Sequence, residues 1–137
     1  MKRRTFIAAG LAASIIPLRA SAAGFVDYTP GLIDTALAEG KTVFVDYGAK
    51  WCGTCERQER GINALREADP AYDNAMLFVK VDWDTYKNAD VTVFRNIPRR
   101  STLLVLKGEE EIGRLVAGTS EAQIKGLLDA GLSVATA

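Results

Sequence analysis

The chain has 137 residues, with 17 basic and 17 acidic side chains, two cysteines and no histidine. That length suits one domain around a single core. Past the first 22 residues the charge is mildly acidic with no basic cluster, which argues against nucleic acid as a partner, and two cysteines without histidine cannot alone supply the four ligands of a structural zinc site.

The chain opens MKRRTFIAAGLAASIIPLRASAAG, which reads as an address. Lys2, Arg3 and Arg4 form a basic head, Phe6 to Leu18 an apolar core, and Ala20-Ser21-Ala22 the small-residue pattern of a cleavage site. The 13 apolar-core residues would reach only about 20 Å as a helix, short of a ~30 Å hydrocarbon layer. The paired arginines before Thr5 and Phe6 resemble a twin-arginine export signal, with Lys2 where a hydroxyl residue is usual. The expectation is a signal peptide over 1–22, export to the periplasm, cleavage near Ala22 and a domain over 23–137. No cysteine closes the apolar run, which argues against a lipid anchor. The mature part would carry 13 basic and 17 acidic residues, a formal charge of −4. An oxidising compartment makes a disulfide chemically reasonable.

In chain order, Thr29 can cap a helix with Pro30 at its first position and Gly40 at its end, over an apolar stripe of Leu32, Ile33, Ala36 and Leu37. TVFVDYGA (Thr42–Ala49) reads as a buried strand. A helix starts at the cysteines and runs through ERQERGINALREA, with Ile62 and Leu65 inward and Gly61 at a bend. AMLFVKVD (Ala75–Asp82) is a second buried strand, followed by a polar segment and a short helical stretch near Val91–Arg95. STLLVLKG (Ser101–Gly108) and EEIGRLVAG (Glu110–Gly118) pair as a hairpin. Ser120 and Gln123 make a capping box for a last helix that Gly131 ends. The sum is an α/β fold with a mixed sheet.

The cysteines stand in Trp51-Cys52-Gly53-Thr54-Cys55, at the mouth of a helix after a buried strand. A disulfide closing so short a loop removes little unfolded-chain entropy, so the pair is poor as a staple. As a redox pair the spacing suits the chemistry. Cys52 lies where free helix N–H groups favour a thiolate, and Cys55, one turn on, can attack a mixed disulfide on Cys52. A metal site would need two chains or carboxylate help.

The run VDYGAKWCGTC resembles the active-site strand and helix start of the thioredoxin family, whose pattern is Val-Asp-Phe-x-Ala-x-Trp-Cys-Gly-x-Cys. The likeness continues through VKVD and TLLVLKG and covers nearly all of residues 25–132. It implies a thioredoxin fold and dithiol–disulfide exchange. It implies that Trp51 covers one side of the site, and that Gly53 and Thr54 separate the thiols. Asp46 falls on a carboxylate buried under the resolving cysteine, and Lys80 on its lysine partner; together they are expected to support proton transfer.

Two departures stand out. Thr54 takes the place of the usual proline, and no imidazolium is available to a strong oxidase, which leans the reading towards a reductase or exchanger. The family's cis-proline precedes the strand matched by Thr102, which assigns the position to Ser101 and leaves Pro98 three residues early. Replacement of the proline by Ser101 in a trans peptide is the favoured expectation, with the sulfurs less covered for want of the ring. Pro98, Arg99, Arg100 and Ser101 are expected to form a substrate-docking loop beside the dithiol.

These readings point to a thiol–disulfide oxidoreductase acting on protein disulfides in the periplasm or envelope. No cofactor is expected beyond the Cys52–Cys55 disulfide, no metal, and no nucleotide or flavin site. A membrane dithiol donor would recycle it, and a monomer is expected. The alternatives are a thiol oxidase, a binding or chaperone-like module with an incidental dithiol, and a four-thiolate metal cluster shared by two chains.

Overall fold

The computed structural model describes residues 24–137, so the expected export signal lies outside the described residues. Its elements in order are β1 (Val26–Asp27), α1 (Leu32–Ala38), β2 (Thr42–Gly48), α2 (Gly53–Ala68), α3 (Ala71–Ala75), β3 (Met76–Asp82), α4 (Trp83–Tyr86), α5 (Asp90–Val93), β4 (Thr102–Lys107), β5 (Glu110–Val116) and α6 (Glu121–Ala135). Among the described residues no helix is long and apolar enough to cross a membrane.

The strands form one mixed sheet, as the sequence leads one to expect, and their order is β1-β3-β2-β4-β5. β2 is buried at every position because it lies at the centre, parallel to β3 and antiparallel to β4. Strand alternation sorts its side chains. Val43, Val45 and Tyr47 enter a core with Ile33 and Ala36 of α1. Phe44 enters the opposite core with Ile62 and Leu65 of α2 and Ile124, Leu127 and Leu128 of α6. Asp46, two residues beyond Phe44, therefore lies on the α2 face of the sheet.

Three local expectations need correction. α1 begins at Leu32, not beside Thr29: Leu32 N–H donates to Thr29 O (3.0 Å) across Gly31 at φ +87°, ψ −11°, a type II turn built on Pro30-Gly31. The predicted end at Gly40 holds. Gly40 is left-handed (φ +82°), with Gly40 N–H on Leu37 O and Lys41 N–H on Ala36 O, a Schellman closure.

Gly61 is not a bend but a close approach, since a Cβ there would lie 2.9 Å from Ile124 Cδ1. Gly131 does not end α6, which continues to Ala135. A Cβ at Gly131 would lie 2.3 Å from Met76 Sδ and 3.2 Å from Val105 Cγ1, so glycine lets the helix sit down on the sheet. The Ser120 cap forms, its Oγ accepting from Gln123 N–H at 3.1 Å. The short elements β1 and α3 were not anticipated.

Candidate active site

The end of β2 delivers the chain to the start of α2, and the dithiol lies at that junction. Cys52 is itself the N-cap of α2, in extended conformation (φ −92°, ψ 111°), with its sulfur accepting from Cys55 N–H at 3.2 Å. A sulfur thus does the work usually given to a hydroxyl or carboxylate oxygen. Both cysteines are free and buried, Cys52 at 4% and Cys55 at 5% exposure. The expectation that the sulfurs are less covered for want of a proline ring is therefore overturned. Ala49 and Trp83 pack around them, and Ser101 closes the remaining side.

Ser101 decides the question about the missing proline. Among the described residues no peptide bond is cis, and Ser101 adopts φ +63°. Its Oγ lies 3.3 Å from Cys52 Sγ and 3.0 Å from Cys55 Sγ. Pro98 is exposed on the preceding loop. The backbone of Ser101 is used within the protein. Its N–H donates to Tyr47 O (2.7 Å), and its carbonyl accepts from Ala117 N–H (2.8 Å) and from Gln58 Nε2 (3.0 Å). Ser101 accordingly presents a side chain, and not a free backbone edge, which corrects its expected docking role. Gln58, fully buried on α2, donates a second bond to Gly118 O at 3.0 Å. It was missed because nothing in a helical Gln-x-x-Gly run tells where its amide will reach.

The charged surround separates into two sides. On one, the Arg100 guanidinium lies 4.5 Å from the centre of the Trp51 ring, a cation–π contact. Trp51 is 60% exposed and donates its Nε1–H to Asp84 Oδ2 at 2.8 Å. Arg99 is spent on its neighbour, donating Nε–H to Arg100 O at 3.0 Å. Arg100, not Arg99, faces the site. Gly53 is exposed and Thr54 half-buried, so neither shields the sulfurs as the buried Ser101 does.

On the other side a cavity of about 620 Å³ opens between Gly48, Cys55, Glu59, Lys80, Asp82 and Asp84. Asp46 lies beneath it, 1% exposed, with Oδ1 unpartnered. A Cβ on Gly48 would be 3.3 Å from that Oδ1 and 3.6 Å from Cys55 Cβ, so the carboxyl and the cysteine flank the same glycine. Lys80 is the strand partner of Asp46. Its Nζ, however, pairs with Glu59 Oε2 at 2.8 Å. The expected Asp46–Lys80 couple is thus a triad in which Glu59, unnoticed in the sequence, takes the direct ion pair.

These placements set the protonation states. Burial pushes the Asp46 carboxyl up to about 7; Lys80 pulls it down, while Glu59 and Cys52 push it further up. Burial also pushes the Cys52 thiol up, but the Cys55 and Ser101 side chains, the Cys55 N–H and Arg100 together outweigh it and bring the thiol to about 7. The Cys55 thiol is raised, first by burial and then by its contact with Cys52. The two sulfurs are thereby made unequal, one a thiolate near neutrality and one a thiol.

A buried Cys-x-x-Cys at a helix N-terminus, on the edge of a central β-strand and split in acidity, defines a dithiol–disulfide exchange centre. The thioredoxin family model matches residues 28–130, and the chain belongs to the thioredoxin family, whose members are thiol–disulfide oxidoreductases. It is 34% identical to thioredoxin-1 of Saccharomyces cerevisiae over 71% of this chain and 87% of that one. Against thioredoxin-2 of the same yeast the identity is 38%, over 67% and 83%. Among solved structures, Trxlp of Edwardsiella tarda superposes with a TM-score of 0.63 at 35% identity, over 74% of this chain and 97% of that one.

Proposed function

We propose that the protein reduces or exchanges disulfides in other proteins of the periplasm or cell envelope. Cys52 attacks, Cys55 resolves the mixed disulfide, and Asp46 with Lys80 and Glu59 lets protons pass between the buried dithiol and the adjoining cavity. Arg100 and Trp51 form the rim on which a protein substrate docks. The chain works as a monomer without a metal or bound cofactor, and a membrane dithiol donor returns electrons to the pair. The observation that carries this reading is the Cys52 sulfur held as N-cap of α2, accepting from the Cys55 N–H and within hydrogen-bond distance of the Ser101 hydroxyl.

The reduction potential tests the direction of electron flow. Equilibration in glutathione buffers with mass-tagging of free thiols is expected to give about −270 mV; a value near −120 mV would make the protein an oxidant. No reversible transition at all would remove the dithiol reading. A Cys52→Ser/Cys55→Ser protein that keeps its cellular function would identify a binding module. Fractionation with N-terminal sequencing of the mature chain tests export and cleavage near Ala22.

A further inference from the structure

Ser101 stands where a hydroxyl has two sulfurs within hydrogen-bond reach and nothing else to do. Its N–H and C=O are tied to β2, to the chain after β5 and to α2, and no part of it is exposed. The left-handed backbone at φ +63° is uncommon for a residue with a side chain, and it aims Oγ between Cys52 Sγ and Cys55 Sγ at 3.3 and 3.0 Å. A serine hydroxyl both donates and accepts, whereas a thiolate only accepts.

We propose that Ser101 is a catalytic residue, whose hydroxyl joins the two cysteines in a chain from Cys55 S–H to Ser101 O–H to Cys52 sulfur, steadying the Cys52 thiolate and carrying the Cys55 proton during resolution. The proposal rests on the redox reading of the dithiol given above. In the first step Cys52, a thiolate steadied by the Ser101 O–H and the Cys55 N–H, attacks one sulfur of the substrate disulfide. The Cys52–substrate bond forms, the substrate S–S bond breaks, and the other substrate sulfur leaves as a thiolate with the bonding pair. In the second, the electron pair of Cys55 Sγ forms the bond to Cys52 Sγ, and the bond from Cys52 to the substrate sulfur breaks. The Cys55 proton moves to Ser101 Oγ, and the proton Ser101 held moves to the departing sulfur. The two cysteines end as a disulfide, and the two substrate sulfurs as the thiolate released in the first step and the thiol released in the second, with no outside base consumed.

The other charged groups around the pair do not replace this path. Asp46, on β2, makes no hydrogen bond to either sulfur; Glu59 and Lys80 bond to one another across the cavity; Arg100 faces Cys52 from the rim. Among the described residues only Ser101 hydrogen-bonds to both sulfurs through its side chain.

The experiment compares wild type with Ser101→Gly, which suits the left-handed backbone, and with Ser101→Ala. In the reduced proteins, thiolate absorbance against pH is expected to place Cys52 about one pH unit higher in both variants. Stopped-flow exchange then separates attack from resolution with two probes, glutathione disulfide and dithiobis-nitrobenzoate. Resolution of the glutathione adduct should slow by roughly 100-fold, as for loss of a positioned acid–base group. Resolution of the aromatic adduct, whose thiolate leaves without a proton, should slow far less. Wild-type titration and an unchanged ratio between the two probes in both variants would overturn the relay while leaving the dithiol reading intact. Failure of the wild type to exchange with either probe would overturn both.

Discussion

Lys80 is paired across the strands with Asp46, yet its ammonium bonds to Glu59 of α2, 2.8 Å away, and the Asp46 Oδ1 is left buried without a partner. A carboxyl so placed costs stability when ionised. With its pKa at about 7 against 3.8 outside the fold, the folded chain holds a proton the unfolded chain has lost throughout that window. Unfolding then releases it, so stability falls as pH rises, by at most about 4 kcal/mol. Asp46→Asn should abolish this slope and gain on the order of 2–4 kcal/mol at pH 8. Urea titrations across the range measure it; an identical slope in the variant would show that Asp46 is ionised throughout.

Reactivity should separate the thiols. Cys52, at about 7, should reach half its maximal alkylation rate near that pH, while Cys55 stays protonated and slow. Cys52→Ser should remove the fast phase entirely. Cys55→Ser should keep it and accumulate a mixed disulfide that mass spectrometry detects. Fast labelling of Cys55 in the intact protein would reverse the assignment of attacker and resolver.

The two arginines of the rim should also differ. Arg100→Ala removes the contact with Trp51 and one source of positive charge near Cys52, so the thiol should rise by a few tenths of a pH unit, less at high salt. Arg99→Ala, whose guanidinium is engaged with the Arg100 carbonyl, should leave the titration unchanged. Equal effects from both would mean that only net charge matters at this rim.

Much of this was legible in the chain because burial writes a strong pattern. The β2 and β3 runs, the helix starting at the cysteines and the β4–β5 hairpin follow from unbroken β-branched segments and a Cys-x-x-Cys at their edge. β1, two residues long, and α3, five, are too short for any periodicity to register. Gly131 misled because a glycine late in a helical pattern usually closes the helix, whereas here it answers to Met76 across the interface. At the site, Cys52, Cys55 and Asp46 could be read from a motif. Gln58 and Glu59 could not, since their partners lie on other segments and depend on the rotation of α2. Ser101 was readable as a position but not as a bridge between sulfurs.

The packing glycines give a stability contrast. Gly131→Ala would press a methyl against Met76 and Val105 in the core, and the overpacking should exceed the helix propensity gained, for a net loss of about 1–2 kcal/mol. Gly61→Ala meets only the tip of Ile124, a side chain with room to rotate about its bonds, and should fall within about 0.5 kcal/mol of wild type. Denaturant midpoints at constant m-value decide both.

The seating of α6 has a consequence for how the protein is made. Ile124, Leu127 and Leu128 cover Phe44, Leu103 and Val105, and the glycines at 61, 113 and 131 fit the helix against α2, β5 and β3. The part of this sheet face that α2 leaves uncovered is therefore bare until this last helix leaves the ribosome. A nascent chain arrested before Ser120 would hold both thiols beside an open apolar surface, a species suited to chaperone capture and to premature cross-linking. The groups that shelter the dithiol, Ala49, Trp83 and Ser101, are all made before this helix, so the redox centre has its full set of residues while the sheet beside α2 is still uncovered.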